Sequence, residues 1–205
     1  MRIQAIAAVT QAVSSPASGF REMGFLNQAQ SLVGLHSDVH RLMGRKDRDW
    51  LFHWQDMGNG RQFVIIRGRG LPDGLSVPLR IPRAGVTVPF TLRVRAVRRS
   101  EWLAGGEAPA GCEGNANRCE RLIAPNDIGR WLQDHMPGLD LLDMEKPDFC
   151  SHGFGKSGLK MISGYLVRGS CRIADQSQVG DLMTTGIGRM RGYGFGMLML
   201  GNPGG

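Results

Sequence analysis

The chain has 205 residues, 41% of them apolar, with a net charge of +7 and a pI near 9.8. That length buries one large core or two small ones. No apolar run reaches the ~20 residues of a bilayer-spanning helix. Residues 1–100 hold 15 Lys/Arg against 6 Asp/Glu, and 14 of those 15 are arginine, whereas residues 101–205 hold 10 against 12. An arginine-rich basic half points to a phosphate polymer as partner; an inert basic surface is the alternative.

Residues 1–9 read as a strand, because their apolar stretch is short and broken by Gln4, unlike a secretory signal. Residues 28–43 read as a helix with Leu32, Leu35, Val39 and Leu42 on one stripe. Residues 50–54 and 61–67 read as strands joined by a turn at Gly58-Asn59-Gly60. Residues 70–89 contain four prolines and carry only a turn where a second helix would fall. Residues 88–97 alternate as a strand, with Phe90, Leu92, Val94 and Ala96 on one face and Thr91, Arg93, Arg95 and Val97 on the other.

Residues 101–119 have linker composition. Beyond them, Asn126 is placed to cap a helix with Ile128, Trp131 and Leu132 inward, stopped by Pro137-Gly138. Residues 160–173 read as a strand pair interrupted at Arg168-Gly169-Ser170. Residues 175–185 read as a helix with Val179, Leu182 and Met183 on one face, and residues 197–200 as a final strand. The expected fold class is α+β, with tandem ferredoxin-like (RRM-like) βαββαβ domains over 1–100 and 120–205.

Ahead of that last strand stands Gly186-Ile187-Gly188-Arg189-Met190-Arg191-Gly192-Tyr193-Gly194-Phe195-Gly196. Glycine admits positive φ and close approach of a ligand. Successive amides can form a concave anion site, and Arg189 and Arg191 add fork-shaped donors. A flexible surface hairpin is the plain alternative. No Walker loop occurs, and the glycines follow a helix rather than a strand, which argues against nucleotide or dinucleotide binding. No cofactor and no metal are expected.

His36 and His40 lie four apart on the first helix, with His36 bordering the apolar stripe and His40 further round toward solvent. Histidine suits proton transfer near neutral pH. In isolation, a partly exposed structural histidine is the better account of His36, and a metal pair with His40 is a further one. The loop Gly155-Lys156-Ser157-Gly158-Leu159-Lys160 offers two ammonium groups and a hydroxyl for a phosphate, or a hairpin turn with solvated lysines. Arg93 and Arg95, roughly 7 Å apart at strand rise, either track a phosphate backbone or form a solvent face. Cys112, Cys119, Cys150 and Cys171 form no Cys-x-x-Cys pair, as expected of reduced thiols in a cytoplasmic protein.

In order along the chain, Leu35-His36 with its helix, Arg48-Asp49-Trp50-Leu51-Phe52-His53, Phe90-Thr91-Leu92-Arg93-Val94-Arg95, Gly155-Lys156-Ser157-Gly158 and the glycine loop resemble one family. That family is the CRISPR repeat endoribonucleases of the RAMP superfamily, in particular the CasE type of the type I-E Cascade complex. The resemblance implies a metal-independent enzyme of antiviral defence that binds the stem-loop of a CRISPR repeat. It implies cleavage of pre-crRNA by 2′-OH attack, leaving a 2′,3′-cyclic phosphate on a crRNA that stays bound beside other subunits of a Cascade-like complex. It implies that His36 is catalytic as general base or general acid. Lys156, Ser157 and Lys160 then lie near the scissile phosphate, and Gly188, Arg189, Arg191, Gly192 and Gly194 support the RNA. Some relatives carry a tyrosine three residues before the histidine; here that position is Val33. A non-catalytic RNA-hairpin scaffold of a type I-E or type IV complex is the alternative.

Overall fold

In the computed structural model, residues 14–28, 32–44, 49–101, 118–154 and 160–201 are described. The expected strand at 1–9 lies outside them. The first described strand, β1, is Ser14–Asn27, and helix α1 (Leu32–Met43) follows. β2 (Trp50–Asp56) and β3 (Gln62–Arg69) form a hairpin, and β4 (Val77–Pro82) closes the unit. These strands make an antiparallel sheet in the order β2-β3-β1-β4. That is the ferredoxin-like order with a turn over residues 70–76 in place of the second helix; the segment expected to carry only a turn also holds β4, with Pro78 and Pro82 inside that strand. Asn59 and its two flanking glycines all have positive φ, which lets the β2–β3 connection reverse tightly.

The second unit starts earlier than its composition implies. β5 (Thr87–Val94) pairs with β10 (Lys160–Ile173) and β11 (Leu198–Leu200), not with the first sheet. With β8 (Leu139–Met144), the order is β11-β5-β10-β8, and β9 (Asp148–Phe154) also pairs with β10. α2 (Ile128–His135) and α3 (Gln176–Thr185) supply the helices. Strand β5, assigned by its sequence position to the first unit, therefore opens the second. The break falls between β4 and β5 rather than at the Gly/Ala-rich stretch. β6 (Val97–Glu101) and β7 (Arg118–Leu122) flank that stretch as a two-stranded ladder within the second unit; residues 102–117 lie outside the described ones.

Other differences are local. β10 is one strand of 14 residues, not two; its Arg168-Gly169-Ser170 segment stays paired, and the register against β8 shifts only between Ser170 and Cys171. Asp175 caps α3 by accepting from the Ser177 and Gln178 amides. No side chain caps α2; Pro125–Asp127 winds into it as a 3₁₀ turn instead, so Asn126 does not serve as its cap.

The apolar stripe of α1 buries Leu32, Leu35 and Val39, and Leu42 is exposed. Those residues pack with Trp50, Phe52, Trp54, Val64 and Ile66 from one face of the first sheet. Its other face is partly covered as well. Leu51 and Ile65 pack on Met197 and Met199, at and beside the last strand. Phe195 enters the first unit's core cluster outright. The glycine-rich loop is thus wedged between the two units. At Gly194, φ is +80°, and a Cβ would lie 2.8 Å from Phe52 and 2.9 Å from Trp54, so only glycine fits that return.

Candidate active site

His36 sits half-buried on α1, one residue past the fully buried Leu35. Its Nδ1–H donates to the carbonyl of Gly192, 156 residues further along the chain. A carbonyl oxygen only accepts, so this bond keeps a proton on Nδ1 and makes Nε2 the nitrogen that can take or give one. The Tyr193 ring stacks on the imidazole with centroids 4.5 Å apart and planes 26° off parallel. Trp50 and His40 stand at 6.3 and 6.1 Å. His40 is exposed, and among the described residues no group of three His, Cys, Asp or Glu side chains gathers at a metal-binding spacing.

His36 lines a groove of about 650 Å³ between the first unit and the glycine-rich loop. Arg69, Arg189 and Arg191 stand along it, with Asp49 opposite in sign. Arg69 comes from the end of β3 and lies over the Phe20 ring at 4.7 Å. Arg189 pairs with Glu120 at 3.1 Å and remains half-exposed. Arg191 donates to the carbonyl of Thr185, which ties the loop to the end of α3. Gly188 and Gly192 line the same groove, whereas Gly194 is buried beneath it. The backbone turns through left-handed conformations at Met190 and Gly194, and this places Arg191–Tyr193 as a single turn against α1.

Arg93 and Arg95 require correction. Both are only 6% exposed. Arg93 donates to the Trp54 carbonyl at 2.9 Å and stacks on the Trp54 ring at 3.9 Å, and burial holds its pKa down at about 10. Arg95 donates to the Ser163 carbonyl and faces Glu120 at 3.9 Å. Arg93 sits in the seam between the units, and Arg95, just past β5, is buried inside the second unit, so neither guanidinium stands on an exposed backbone-tracking surface. Lys156 and Ser157 lie outside the described residues. Lys160 opens β10 opposite Phe154, and its side chain is not among those described.

Reading the sequence missed Arg69 and Asp49 as groove residues. The Arg67-Gly68-Arg69-Gly70 run was the available signal for Arg69, but only the fold separates buried Arg67 from Arg69 at the groove. His53 was also missed as a buried group. Its pKa is pushed down to about 3, first by burial and then by the nearby charges of Arg93, Arg67 and Arg168.

The two ferredoxin-like units thus meet at a groove that holds an imidazole and three arginines. The chain belongs to the CRISPR-associated protein family, whose model matches residues 20–201. Its fold is similar to that of the CRISPR-associated protein Cas6e from Escherichia coli str. K-12, with a TM-score of 0.65 and 20% identity over 89% of this chain and 98% of that one. It is also similar to Thermus thermophilus Cse3 bound to an RNA representing a pre-cleavage complex (TM-score 0.62, 16% identity, 89% and 98% covered). A chain of a CRISPR RNA-guided surveillance complex matches at 0.57, with 17% identity over 88% and 98%. At these identities the likeness is one of fold. No curated protein matches the sequence. Among the described residues, no helix is long and apolar enough to cross a membrane.

Proposed function

We propose that the protein is a metal-independent endoribonuclease that binds the stem-loop of a CRISPR repeat and cuts pre-crRNA beside it. The observation that carries this reading is the position of His36, with its Nδ1–H held by Gly192, in a groove with Arg69, Arg189 and Arg191. Family membership and the folds of RNA-bound Cse3 and of the surveillance-complex chain support the choice of RNA.

In this reading the ribose 2′-oxygen attacks the adjacent phosphorus. The bond to the 5′-oxygen breaks, leaving a 2′,3′-cyclic phosphate and a 5′-hydroxyl. Nε2 of His36 either takes the proton from the 2′-OH while water protonates the departing 5′-oxygen, or, in the imidazolium form, gives its proton to the 5′-oxygen while water takes the one from the 2′-OH. The groove arginines offset the charge that builds on the phosphoryl oxygens. Lys156, Ser157 and Lys160 belong to the proposal as further phosphate contacts; β9, the strand leading into their loop, packs beside α1. The 2′-OH is also what separates RNA from DNA as substrate. The product stays bound in the cytoplasm with the other subunits of a Cascade-like complex, which makes slow turnover sufficient.

The test is cleavage of a repeat hairpin RNA in EDTA. Wild-type protein cuts once per repeat and leaves a cyclic phosphate. His36→Ala binds the same hairpin with unchanged affinity and does not cut. Cleavage by His36→Ala at the wild-type rate would overturn the assignment.

A further inference from the structure

Helix α1 contains no phenylalanine, tyrosine or tryptophan, and the one ring it sets near His36, that of His40, stands 6.1 Å away and tilted by 50°. The ring that does meet the imidazole comes from the other end of the chain. Tyr193 is half-buried, at the end of the Arg191–Tyr193 turn, and its ring lies face to face with that of His36. The preceding residue, Gly192, supplies the carbonyl that takes the Nδ1 proton. Two consecutive loop residues therefore restrain the imidazole in complementary ways. The carbonyl selects the tautomer, and the stacked ring limits rotation about the Cβ–Cγ bond, a torsion that is otherwise broad and roughly two-fold.

The turn is itself anchored. Tyr193 N–H donates to the Met190 carbonyl at 2.9 Å, Arg191 reaches back to Thr185, and Gly194 and Phe195 are buried against Phe52, Trp54 and the first core. Met190 and Gly194 bracket it with left-handed backbone on either side. A loop fixed at both ends is a rigid support for one side chain, and rigid support is what a proton-transferring imidazole needs.

We infer that Tyr193 is a positioning residue for His36: its ring, stacked on the imidazole, keeps Nε2 aimed into the groove, so that the second unit completes the active site of the first. The inference rests on the endoribonuclease reading above. It adds a residue and a division of labour to that reading: the reacting nitrogen comes from the N-terminal unit, and its orientation comes from the C-terminal one.

The experiment uses the full chain, a repeat hairpin RNA and single-turnover conditions. Tyr193→Phe keeps the ring and is expected to cut within about threefold of wild type. Tyr193→Leu removes it and is expected to cut at least about tenfold more slowly, with hairpin affinity within about twofold of wild type. In ¹⁵N-histidine spectra, the His36 signal of wild type and of Tyr193→Phe reports the Nδ1–H tautomer, and Tyr193→Leu shifts it toward a mixture. Should Tyr193→Leu fail to fold, Tyr193→Asn, a residue at home in turns, replaces it with the same expectations. Wild-type cleavage by the ringless variant overturns the inference, as does a Tyr193→Phe rate as low as that of Tyr193→Leu. His36→Ala run alongside separates the two levels. If it is inactive while Tyr193→Leu is fully active, only the role of Tyr193 fails; if it is active, the nuclease assignment of His36 fails.

Discussion

Arg67 holds Glu22 from a site where its side chain is 1% exposed, with Nε and Nη2 at 2.8 and 2.5 Å from one carboxylate oxygen. Its remaining nitrogen, Nη1, donates to the carbonyls of Met183 and Leu198, both at 2.9 Å. One guanidinium thus ties β1 and β3 of the first unit to the end of α3 and the last strand of the second. Arg67→Met would leave Glu22 and two carbonyls without their donor in the interface. A loss of about 3 kcal/mol is expected, read as a lower urea midpoint. A loss below about 1 kcal/mol would mean that the seam repacks or is wet.

Arg189→Ala and Arg69→Ala should weaken hairpin RNA binding and lower the slope of log K against log salt. Each phosphate contact removed takes away about 0.7 for single-stranded and about 0.9 for duplex RNA-like contacts. Arg93→Ala should behave oppositely, lowering the melting temperature with the salt slope unchanged, because its partners are Trp54 atoms. Salt titrations of binding measure all three.

His53 makes stability depend on pH. Its ordinary pKa of 6.5 is lowered to about 3 in the fold, chiefly by burial. Between those values the unfolded chain binds a proton that the folded chain refuses. The stabilisation is full above about pH 6.5 and is lost as pH falls toward 3. His152, lowered by burial and by Arg93, acts in the same direction. His53→Gln should lose about 2 kcal/mol less than wild type between pH 7 and pH 5, measured by urea unfolding at both values. Equal losses would show that His53 is protonated in the fold.

Gly194→Ala should destabilise by about 2 kcal/mol or more, because alanine disfavours positive φ and its methyl would meet Phe52 and Trp54. Cleavage should fall with it, since Tyr193 immediately precedes this position. A melting curve and a single-turnover assay on one preparation test both parts. An unchanged melting temperature would show that the loop relaxes without glycine.

Much of this was legible because it is local. The stripe Leu32, Leu35, Val39 gives α1 its buried face whatever surrounds it, and His36 at its border follows from a 100° rotation per residue. The four prolines of residues 70–89 exclude a helix there for a backbone reason alone. Strand β5 shows where such reasoning ends. Its alternation is visible, but alternation tells only that the two faces differ. The polar face bearing Arg93 and Arg95 meets protein instead of water: Arg93 reaches Trp54 of the first unit, 39 residues away, and Arg95 reaches Ser163 of β10, 68 residues away.

The amino-acid sequence by itself determined the α+β class, the basic character of the chain, the imidazole on α1 and the glycines that let the last loop turn. Each is a property of neighbouring residues: a period, a charge, a φ angle. The tertiary structure alone decided which arginines remain at the groove and which are spent inside, that β5 opens the second unit, and that Gly192 and Tyr193 meet His36. Those outcomes depend on strand order and on two units closing over one loop, and contacts across 156 residues leave no local pattern in a single chain.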